Sequence, residues 1–122
     1  MNSRKELGAW GEEKASQYLR RKGYKILDRN YSCRFGEIDV IASFQGFVVF
    51  AEVKLRKNAD FAEAREFVTS AKQRRILTSA QLWLATHRCE LQPRFDVMEI
   101  YAPAGTGTLR PTIRHLENAF SY

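Results

Sequence analysis

The chain has 122 residues, of which 44% are apolar and 12% aromatic, and this composition excludes an intrinsically disordered protein and predicts one domain over residues 1–122. Twenty Lys and Arg residues against fourteen Asp and Glu residues give a net charge of +6, which favours a polyanionic partner such as nucleic acid, or an anionic membrane surface. From the charge alone, a basic protein without such a partner is an equally good interpretation.

The cysteines and the apolar segments indicate the compartment. Cys33 and Cys89 are far apart and form no Cys-x-x-Cys pair, which predicts a reducing environment. The first residues lack the apolar core of a signal peptide, and no later segment approaches the roughly 18 apolar residues of a membrane span. We therefore expect a cytoplasmic protein with no membrane partner.

The first predicted elements are a helix and a short strand. Apolar or small side chains recur near helical spacing over residues 3–22, and Gly23 follows as a helix stop. Residues 24–28 alternate between apolar and polar side chains, which predicts a strand that ends at a turn formed by Arg29 and Asn30.

Residues 35–54 contain two apolar strands joined by a Gln-Gly turn, yet both strands carry charged residues. Pairing outward from the turn places Asp39 opposite Glu52 and Glu37 opposite Lys54. Because side chains alternate along a strand, these four charged groups are expected to share one face of the hairpin. The other face is entirely apolar and consists of Val40, Ala42, Phe44, Phe47, Val49, Ala51 and Val53.

Two directly opposed carboxylates repel each other unless a cation lies between them. A hard cation such as Mg²⁺ or Mn²⁺ would bind oxygens of Asp39 and Glu52 and a main-chain carbonyl, which Val53 could supply. Lys54 would then orient a water or stabilise an oxyanion, which suits phosphodiester hydrolysis. For an isolated Glu-Val-Lys the simpler interpretation is an ion pair on a solvated sheet face, but the full set of residues favours the metal site.

The second half of the chain predicts a loop, a helix and two further elements. Residues 56–68 are charged and weakly periodic, which indicates a loop that covers the substrate. Thr69 or Ser70 is expected to cap a helix that ends near Thr86. The remaining predictions are a strand at 94–101, a loop at 102–111, and a short strand or helical turn at 112–120. This order predicts an α/β sandwich whose mixed sheet is packed against helices.

Two groups of basic residues flank the predicted site. Lys72, Arg74 and Arg75 lie in the first turns of the second helix, close to main-chain N–H groups that favour phosphate. Arg56 and Lys57 directly follow the strand of the predicted site. We expect both groups to contact a nucleic-acid backbone, although the solvated side of an amphipathic helix explains Arg74 or Arg75 equally well when either is taken alone.

These segments resemble the uncharacterised YraN-type proteins, which are similar to the Holliday-junction resolvase branch of the restriction-endonuclease-like PD-(D/E)xK nucleases. The matching segments cover nearly the whole chain and include GEIDVIA, FAEVKLR, AKQRR, RFDVMEI and HLENAF. The resemblance implies a three-layer sandwich with a central mixed sheet flanked by helices, and an endonuclease that cuts DNA, including branched DNA. It also implies a homodimer, which the apolar segment 94–100 would support as an edge strand, although burial inside the protein explains that segment equally well.

The resemblance assigns roles to five residues of this sequence. Asp39 corresponds to the metal-binding Asp, Glu52 to the second metal-binding acid, and Lys54 to the catalytic Lys. Glu12 matches an acid that helps to bind metal in resolvase-like relatives, and Gln73 resembles a helix glutamine found near many such sites. The implied cofactor is Mg²⁺ or Mn²⁺.

Three functions remain to be distinguished. The first is the metal-dependent endonuclease, which the intact set of Asp39, Glu52 and Lys54 favours. The second is a non-catalytic nucleic-acid-binding protein that retains the nuclease fold, and its DNA affinity would survive the change Asp39→Ala. The third is a structural protein whose charged residues form an ion-pair network and which has no affinity for DNA.

Overall fold

A computed structural model of the chain describes residues 4–57 and 68–122, with Arg4 described by its backbone only. The described elements, in chain order, are α1 (Arg4–Arg21), β1 (Lys25–Cys33), β2 (Gly36–Phe44), β3 (Phe47–Arg56), α2 (Ser70–Thr86), β4 (Gln92–Tyr101), a 3₁₀ turn (Gly105–Gly107) and β5 (Thr112–Phe120). The loop expected at 56–68 falls for the most part outside the described residues.

The five strands form one mixed sheet in the order β1-β2-β3-β4-β5. Strands β3 and β4 are parallel, and the other neighbouring pairs are antiparallel. A parallel pair needs a crossover connection, and α2 lies in the segment that joins β3 to β4. Helix α1 packs against one face of the sheet and α2 against the other. The predicted fold class, a three-layer sandwich with a mixed sheet, is therefore confirmed.

Each face of the sheet has its own apolar core, because strand residues alternate between the two faces. On the α1 side, the buried residues are Ala15, Leu19, Tyr24, Val40, Ala42, Val49, Ala51, Met98 and Ile100. On the α2 side they are Ile38, Ile41, Val48, Phe50, Val68, Ile76, Ala80, Trp83, Phe95 and Val97. The apolar face predicted for the hairpin is the one that packs in the α1-side core.

The predicted helix ends agree with the structure. After α1, Gly23 adopts a φ of 92°, a conformation that glycine tolerates and that ends helices. At the start of α2, Thr69 is the N-cap, and its Oγ1 accepts a hydrogen bond of 3.1 Å from the main-chain N–H of Lys72. None of the described helices is long and apolar enough to cross a bilayer.

One prediction about strand length differs from the structure, and one choice that the sequence left open is resolved. The turn predicted at Arg29 and Asn30 is wrong, because β1 continues to Cys33. Asn30 has a φ of 54°, so the turn-like residue is accommodated inside the strand. The open choice between strand and helical turn at 112–120 is resolved as strand β5, which pairs with β4.

Of the two interpretations of residues 94–100, the edge strand is wrong and burial inside the protein is confirmed. Strand β4 pairs with β3 on one side and with β5 on the other, so its main-chain N–H and C=O groups form hydrogen bonds on both sides. Its interior burial explains why the segment is apolar. Strand β4 therefore offers no open edge to a second copy of the chain.

Candidate active site

The hairpin β2–β3 forms the floor of the candidate site. Gln45 and Gly46 both have positive φ, 47° and 85°, as a two-residue hairpin turn with the sheet's natural twist requires. The antiparallel ladder runs outward from this turn to the pair Val40–Ala51. It ends one pair before the position at which Asp39 would face Glu52.

The predicted pair between Glu37 and Lys54 is not formed. Glu37 is instead in register with Ser32 of β1, and Lys54 is in register with Glu99 of β4. The reason is that β2 and β3 separate beyond the last pair of their ladder, and each strand continues with its other neighbour. The charged ends of the two strands therefore line an opening between them.

Asp39 is held at this opening by the main chain of β3. The N–H of Val53 donates a hydrogen bond of 2.8 Å to Asp39 Oδ2. If the ladder continued in the same register, Val53 would lie opposite Ile38. The N–H of Val53 instead donates its hydrogen bond to the side chain of Asp39. Because the N–H and C=O of one strand residue point to the same side, the Val53 carbonyl also faces the opening.

A pocket of about 250 Å³ lies over this opening, and its walls are formed by Gly36, Glu37, Asp39, Glu52, Lys72, Arg75 and Ile76. The first turns of α2 form one wall of this pocket. Gly36 has a φ of 151°, and a Cβ atom there would lie 3.3 Å from Arg75 Cβ. The glycine therefore lets α2 approach β2 closely enough to bring Lys72 and Arg75 to the carboxylates.

The pKa of Asp39 is raised first by burial and then by neighbouring negative charge. Burial and the neighbouring Glu52 carboxylate raise the pKa of Asp39 to about 7, and the charge of Glu12 adds to the effect. The hydrogen bond from Val53 and the charge of Lys72 act in the opposite direction. The positive charge of Lys72 therefore does not fully offset the cost of ionising Asp39 in this site.

Among the described residues, the cation nearest to Glu52 is a residue of α2. Lys72 Nζ lies 2.6 Å from Glu52 Oε1, whereas Lys54 Nζ is 3.7 Å from the same oxygen. Burial, and then the charge of Lys72, lower the pKa of Lys54. Lys54 is therefore close to Glu52 without being its main counterion.

The other residues predicted for the site lie at varying distances from the pocket. Glu12, on α1, is close enough for its charge to affect the pKa of Asp39. Gln73 lies on α2, and its side-chain amide donates to the Val68 carbonyl at 3.0 Å; it is not among the pocket-lining residues. Its predicted catalytic role therefore has no contact with the acids to support it.

The predicted nucleic-acid contacts fall into three places. Lys72 and Arg75 line the acidic pocket, and Arg74 lies with Arg75 along a neighbouring groove on the outside of α2. Arg56 is mostly buried and pairs with Glu99 across 3.7 Å. The exposed Lys57 lies beyond the end of β3, away from the acidic pocket.

The donor set of the pocket fits a hard divalent cation. It offers the carboxylates of Asp39 and Glu52 and the nearby Val53 carbonyl, all of them oxygen ligands. Within residues 4–57 and 68–122, no three His, Cys, Asp or Glu side chains lie together as a ligand group. A Mg²⁺ or Mn²⁺ ion here would therefore use two carboxylates and retain several waters, as Mg²⁺ commonly does.

Strand β4 carries two buried acids whose importance the sequence reasoning missed. Asp96 and Glu99 are fully buried in the part of β4 that follows Arg94 and is otherwise apolar up to Ile100. Asp96 pairs with Arg94 and His115 on the α1 side, and Glu99 lies beside Arg114 near Lys54. The signal was the one that marked the hairpin, namely charged residues that interrupt an apolar strand.

We expect Asp39→Asn to stabilise the metal-free protein. The amide oxygen can still accept from Val53, but the repulsion from Glu52 is removed, so the free energy of unfolding should rise by about 1 to 3 kcal/mol at pH 8. Because the folded-state pKa is raised, ionised Asp39 weakens the fold above pH 7 and less so as the pH falls toward 4. The increase in the free energy of unfolding caused by Asp39→Asn should therefore be smaller at pH 5.5.

Urea unfolding in EDTA at the two pH values measures this difference. Glu37→Gln is the matched control, because Glu37 lines the same pocket but is exposed. A loss of stability in Asp39→Asn at pH 8 would contradict the interpretation of Asp39 as a repelled carboxylate.

Comparison with known proteins identifies relatives over most of the chain. The family model described as Uncharacterised protein family UPF0102 matches residues 11–100. A UPF0102 protein of Caldanaerobacter subterraneus is 42% identical over 97% of this chain and 97% of its own length. UPF0102 proteins of Syntrophotalea carbinolica and Vibrio parahaemolyticus are 48% and 45% identical, over 80% and 81% of this chain and 80% and 84% of their own lengths. The matched region contains every residue predicted for the site.

Proposed function

The chain belongs to the UPF0102 family, and we propose that it is a metal-dependent endonuclease that hydrolyses phosphodiester bonds in DNA, including branched DNA. The observation that carries the proposal is the acidic pocket between β2 and β3. In it, burial and Glu52 raise the pKa of Asp39 to about 7, so the pocket is short of positive charge that a bound cation would supply.

Asp39, Glu52 and the Val53 carbonyl would hold Mg²⁺ or Mn²⁺, with Glu12 near enough to affect the charge of the site. When bound, such an ion lowers the pKa of a coordinated water and polarises the phosphoryl oxygens. The Val53 N–H fixes the orientation of the Asp39 carboxylate. Lys54, 3.7 Å from Glu52, is placed to offset negative charge that develops on the phosphoryl group during attack.

The basic rim of the pocket supports a polyanionic substrate. Lys72 and Arg75 come from the first turns of α2 and lie beside the carboxylates. The whole chain carries a net charge of +6, so a nucleic-acid backbone is attracted to a pocket whose floor is acidic but whose surroundings are basic. The contrast between an acidic floor and a basic rim suits an enzyme that binds both a divalent cation and phosphate.

A non-catalytic nucleic-acid-binding protein is the second candidate, and the contact between Lys72 and Glu52 is the observation in its favour. The ammonium group lies 2.6 Å from the carboxylate and already supplies Glu52 with a positive charge. A protein that used this ion pair only to stabilise its fold would keep a basic rim and bind nucleic acid without metal. The two candidates therefore differ in their dependence on a divalent cation.

The test is cleavage of end-labelled linear, flapped and four-way-junction DNA with Mn²⁺ or with EDTA. We expect the wild-type protein to cut only with Mn²⁺, and Asp39→Asn to lose cutting by at least about 100-fold because one of two charged ligands is gone. Glu37→Gln serves as the matched control, since it removes a carboxylate from the rim of the same pocket.

Thermal unfolding with and without Mn²⁺ reports metal binding independently of cleavage. The wild-type protein should gain stability with Mn²⁺, and Asp39→Asn should not. If the wild-type protein and Asp39→Asn bind all the DNAs equally, and neither cuts any of them with Mn²⁺, the binding-protein candidate replaces the endonuclease.

A further inference from the structure

A row of charged residues crosses the sheet beside the acidic pocket. In the register of the three strands, Lys54 of β3 is level with Glu99 of β4, and Glu99 is level with Arg114 of β5. Phe50 and Phe95 of the same strands pack in the α2-side core. Because side chains alternate with a period of two, Lys54 and Glu99 lie on that same face, which is the face of the acidic pocket.

This row continues directly from the carboxylates of the pocket. Glu52 and Lys54 are two residues apart on β3, which is a distance of roughly 6.7 Å along the strand. Arg114 lies on β5, two strands across from β3, which adds roughly 10 Å across the sheet. A DNA backbone with one phosphate at the pocket that runs across the sheet would thus bring another phosphate over the row of Glu99.

Glu99 organises two guanidinium groups in this row. Its side chain is fully buried, and its Oε2 accepts a hydrogen bond of 2.9 Å from the Tyr101 hydroxyl. Arg56 Nε lies 3.7 Å from Glu99 Oε2, and Arg114 Nη1 lies 3.6 Å from Glu99 Oε1. One buried carboxylate therefore lies at ion-pair distance from two arginines, which come from the strands on either side of it.

The two arginines differ in their access to solvent. The Arg56 side chain is 17% exposed, while that of Arg114 is 45% exposed. A guanidinium carries five N–H donors in a planar fork that suits phosphate oxygens. Arg114 pairs with a buried carboxylate and still exposes part of its guanidinium to solvent, which is the geometry of a phosphate contact.

We infer that Arg114, together with Arg56 and paired with Glu99, forms a binding site for a further phosphate of the nucleic-acid backbone that enters the acidic pocket. This inference rests on the proposed function, because it places a second phosphate of the same substrate. Its ligand is a phosphodiester group of a DNA strand. This site adds strand β5 to the surface that contacts nucleic acid. The basic residues predicted from the sequence lie at the end of β3 and on α2.

Fluorescence anisotropy of labelled four-way-junction DNA in EDTA, over a series of NaCl concentrations, tests this site without cleavage. Arg114→Gln should weaken binding by about 5- to 10-fold, and the slope of log K against log salt should become less steep by about 1. Arg110→Gln is the matched control: it also removes an exposed arginine, but one that lines a pocket with Lys14 and Arg21 of α1. The control should change the affinity by less than about 2-fold.

Arg114→Lys separates a phosphate contact from a structural effect. Lysine retains the charge, so the salt slope should return to that of the wild-type protein, although the affinity should recover only in part because the bidentate fork is lost. If Arg114→Gln binds like Arg110→Gln at every salt concentration while the wild-type protein binds and cuts DNA, the phosphate site is wrong and the endonuclease stands. If the wild-type protein binds no DNA at any salt concentration, both proposals fail.

Discussion

Lys54→Met should lower the rate of Mn²⁺-dependent DNA cleavage by about 100- to 1,000-fold and leave Mn²⁺ binding intact. Lys54 Nζ lies 3.7 Å from Glu52 Oε1, and Lys72 is closer to that oxygen at 2.6 Å. Methionine fills a similar volume without the charge, so both candidate metal ligands keep their places. What is lost is the cation that would offset charge developing on the phosphoryl group.

Two readouts separate Lys54 from the metal ligands. Single-turnover cleavage of the best DNA substrate measures the chemical step, and the increase in melting temperature on addition of Mn²⁺ measures metal binding. Lys54→Met should lose the first and retain the second, whereas Asp39→Asn should lose both. Lys57→Met is the matched control, because Lys57 is an exposed lysine just beyond the same strand and lies away from the pocket.

Any of three results would contradict this role. Cleavage by Lys54→Met at the wild-type rate would show that the lysine does not act in the chemical step. A complete loss of the Mn²⁺ effect on melting would mean that Lys54 supports metal binding instead of catalysis. A comparable loss of activity in Lys57→Met would point to a general effect of surface charge on DNA binding.

Asp96→Asn should lower the free energy of unfolding by about 3 to 5 kcal/mol, because it leaves a buried guanidinium without its counterion. Arg94 donates two hydrogen bonds to Asp96, from Nε at 3.0 Å and from Nη2 at 2.7 Å. His115 Nε2 lies 2.6 Å from the same carboxylate, and the main-chain N–H of Asn118 donates to it at 3.0 Å. Asparagine preserves the shape but cannot supply the negative charge.

The matched control for this change is Glu117→Gln. Glu117 lies 4.0 Å from Arg94, but its side chain is 58% exposed, so its loss should cost no more than about 0.5 kcal/mol. Urea unfolding of the two variants at pH 7 measures the contrast. Equal, small losses in both variants would show that the Arg94–Asp96 pair contributes little to the fold.

The pH dependence of stability gives a second test of Asp96. Burial by itself would raise its pKa, but hydrogen bonds from His115 and Arg94 outweigh burial and lower the pKa of Asp96 below its ordinary value. A lowered pKa means that the folded state holds the proton less tightly than the unfolded state. Its stabilising contribution is therefore present above the ordinary carboxyl pKa and is lost as the pH falls through the folded-state value. Asp96→Asn should lack this part of the acid sensitivity.

Much of the local structure was determined by the sequence itself. The spacing of apolar residues marked α1 and α2, and Gly23 and Thr69 marked two of their ends. The Gln-Gly turn, together with period-two alternation, was enough to predict the hairpin register as far as the pair Val40–Ala51 and to separate its charged residues from its apolar face. These signals work because helix and strand periodicity, caps and turns depend on neighbours a few residues apart.

Which strands lie next to one another was decided only by the tertiary structure. The sequence leaves open whether β4 is an edge strand or a buried one, and the structure places it between β3 and β5. Strand β1 continues through Arg29 and Asn30, where the sequence predicts a turn. The residue pattern of an apolar strand is the same whether its second neighbour is another strand of the chain or a second copy of the chain. Pairing with a distant strand can also accommodate a turn residue such as Asn30.

The electrostatic character of the candidate site was likewise decided by the tertiary structure. The sequence indicated that Asp39 and Glu52 would share a face. The contact between Lys72 and Glu52, however, joins a helix to a strand. The contacts of Glu99 with Arg56 and Arg114 join three strands. The raised pKa of Asp39 depends on burial as well as on these neighbours. Periodicity reports which face a side chain takes, whereas charge balance depends on distances between residues that are far apart in the chain.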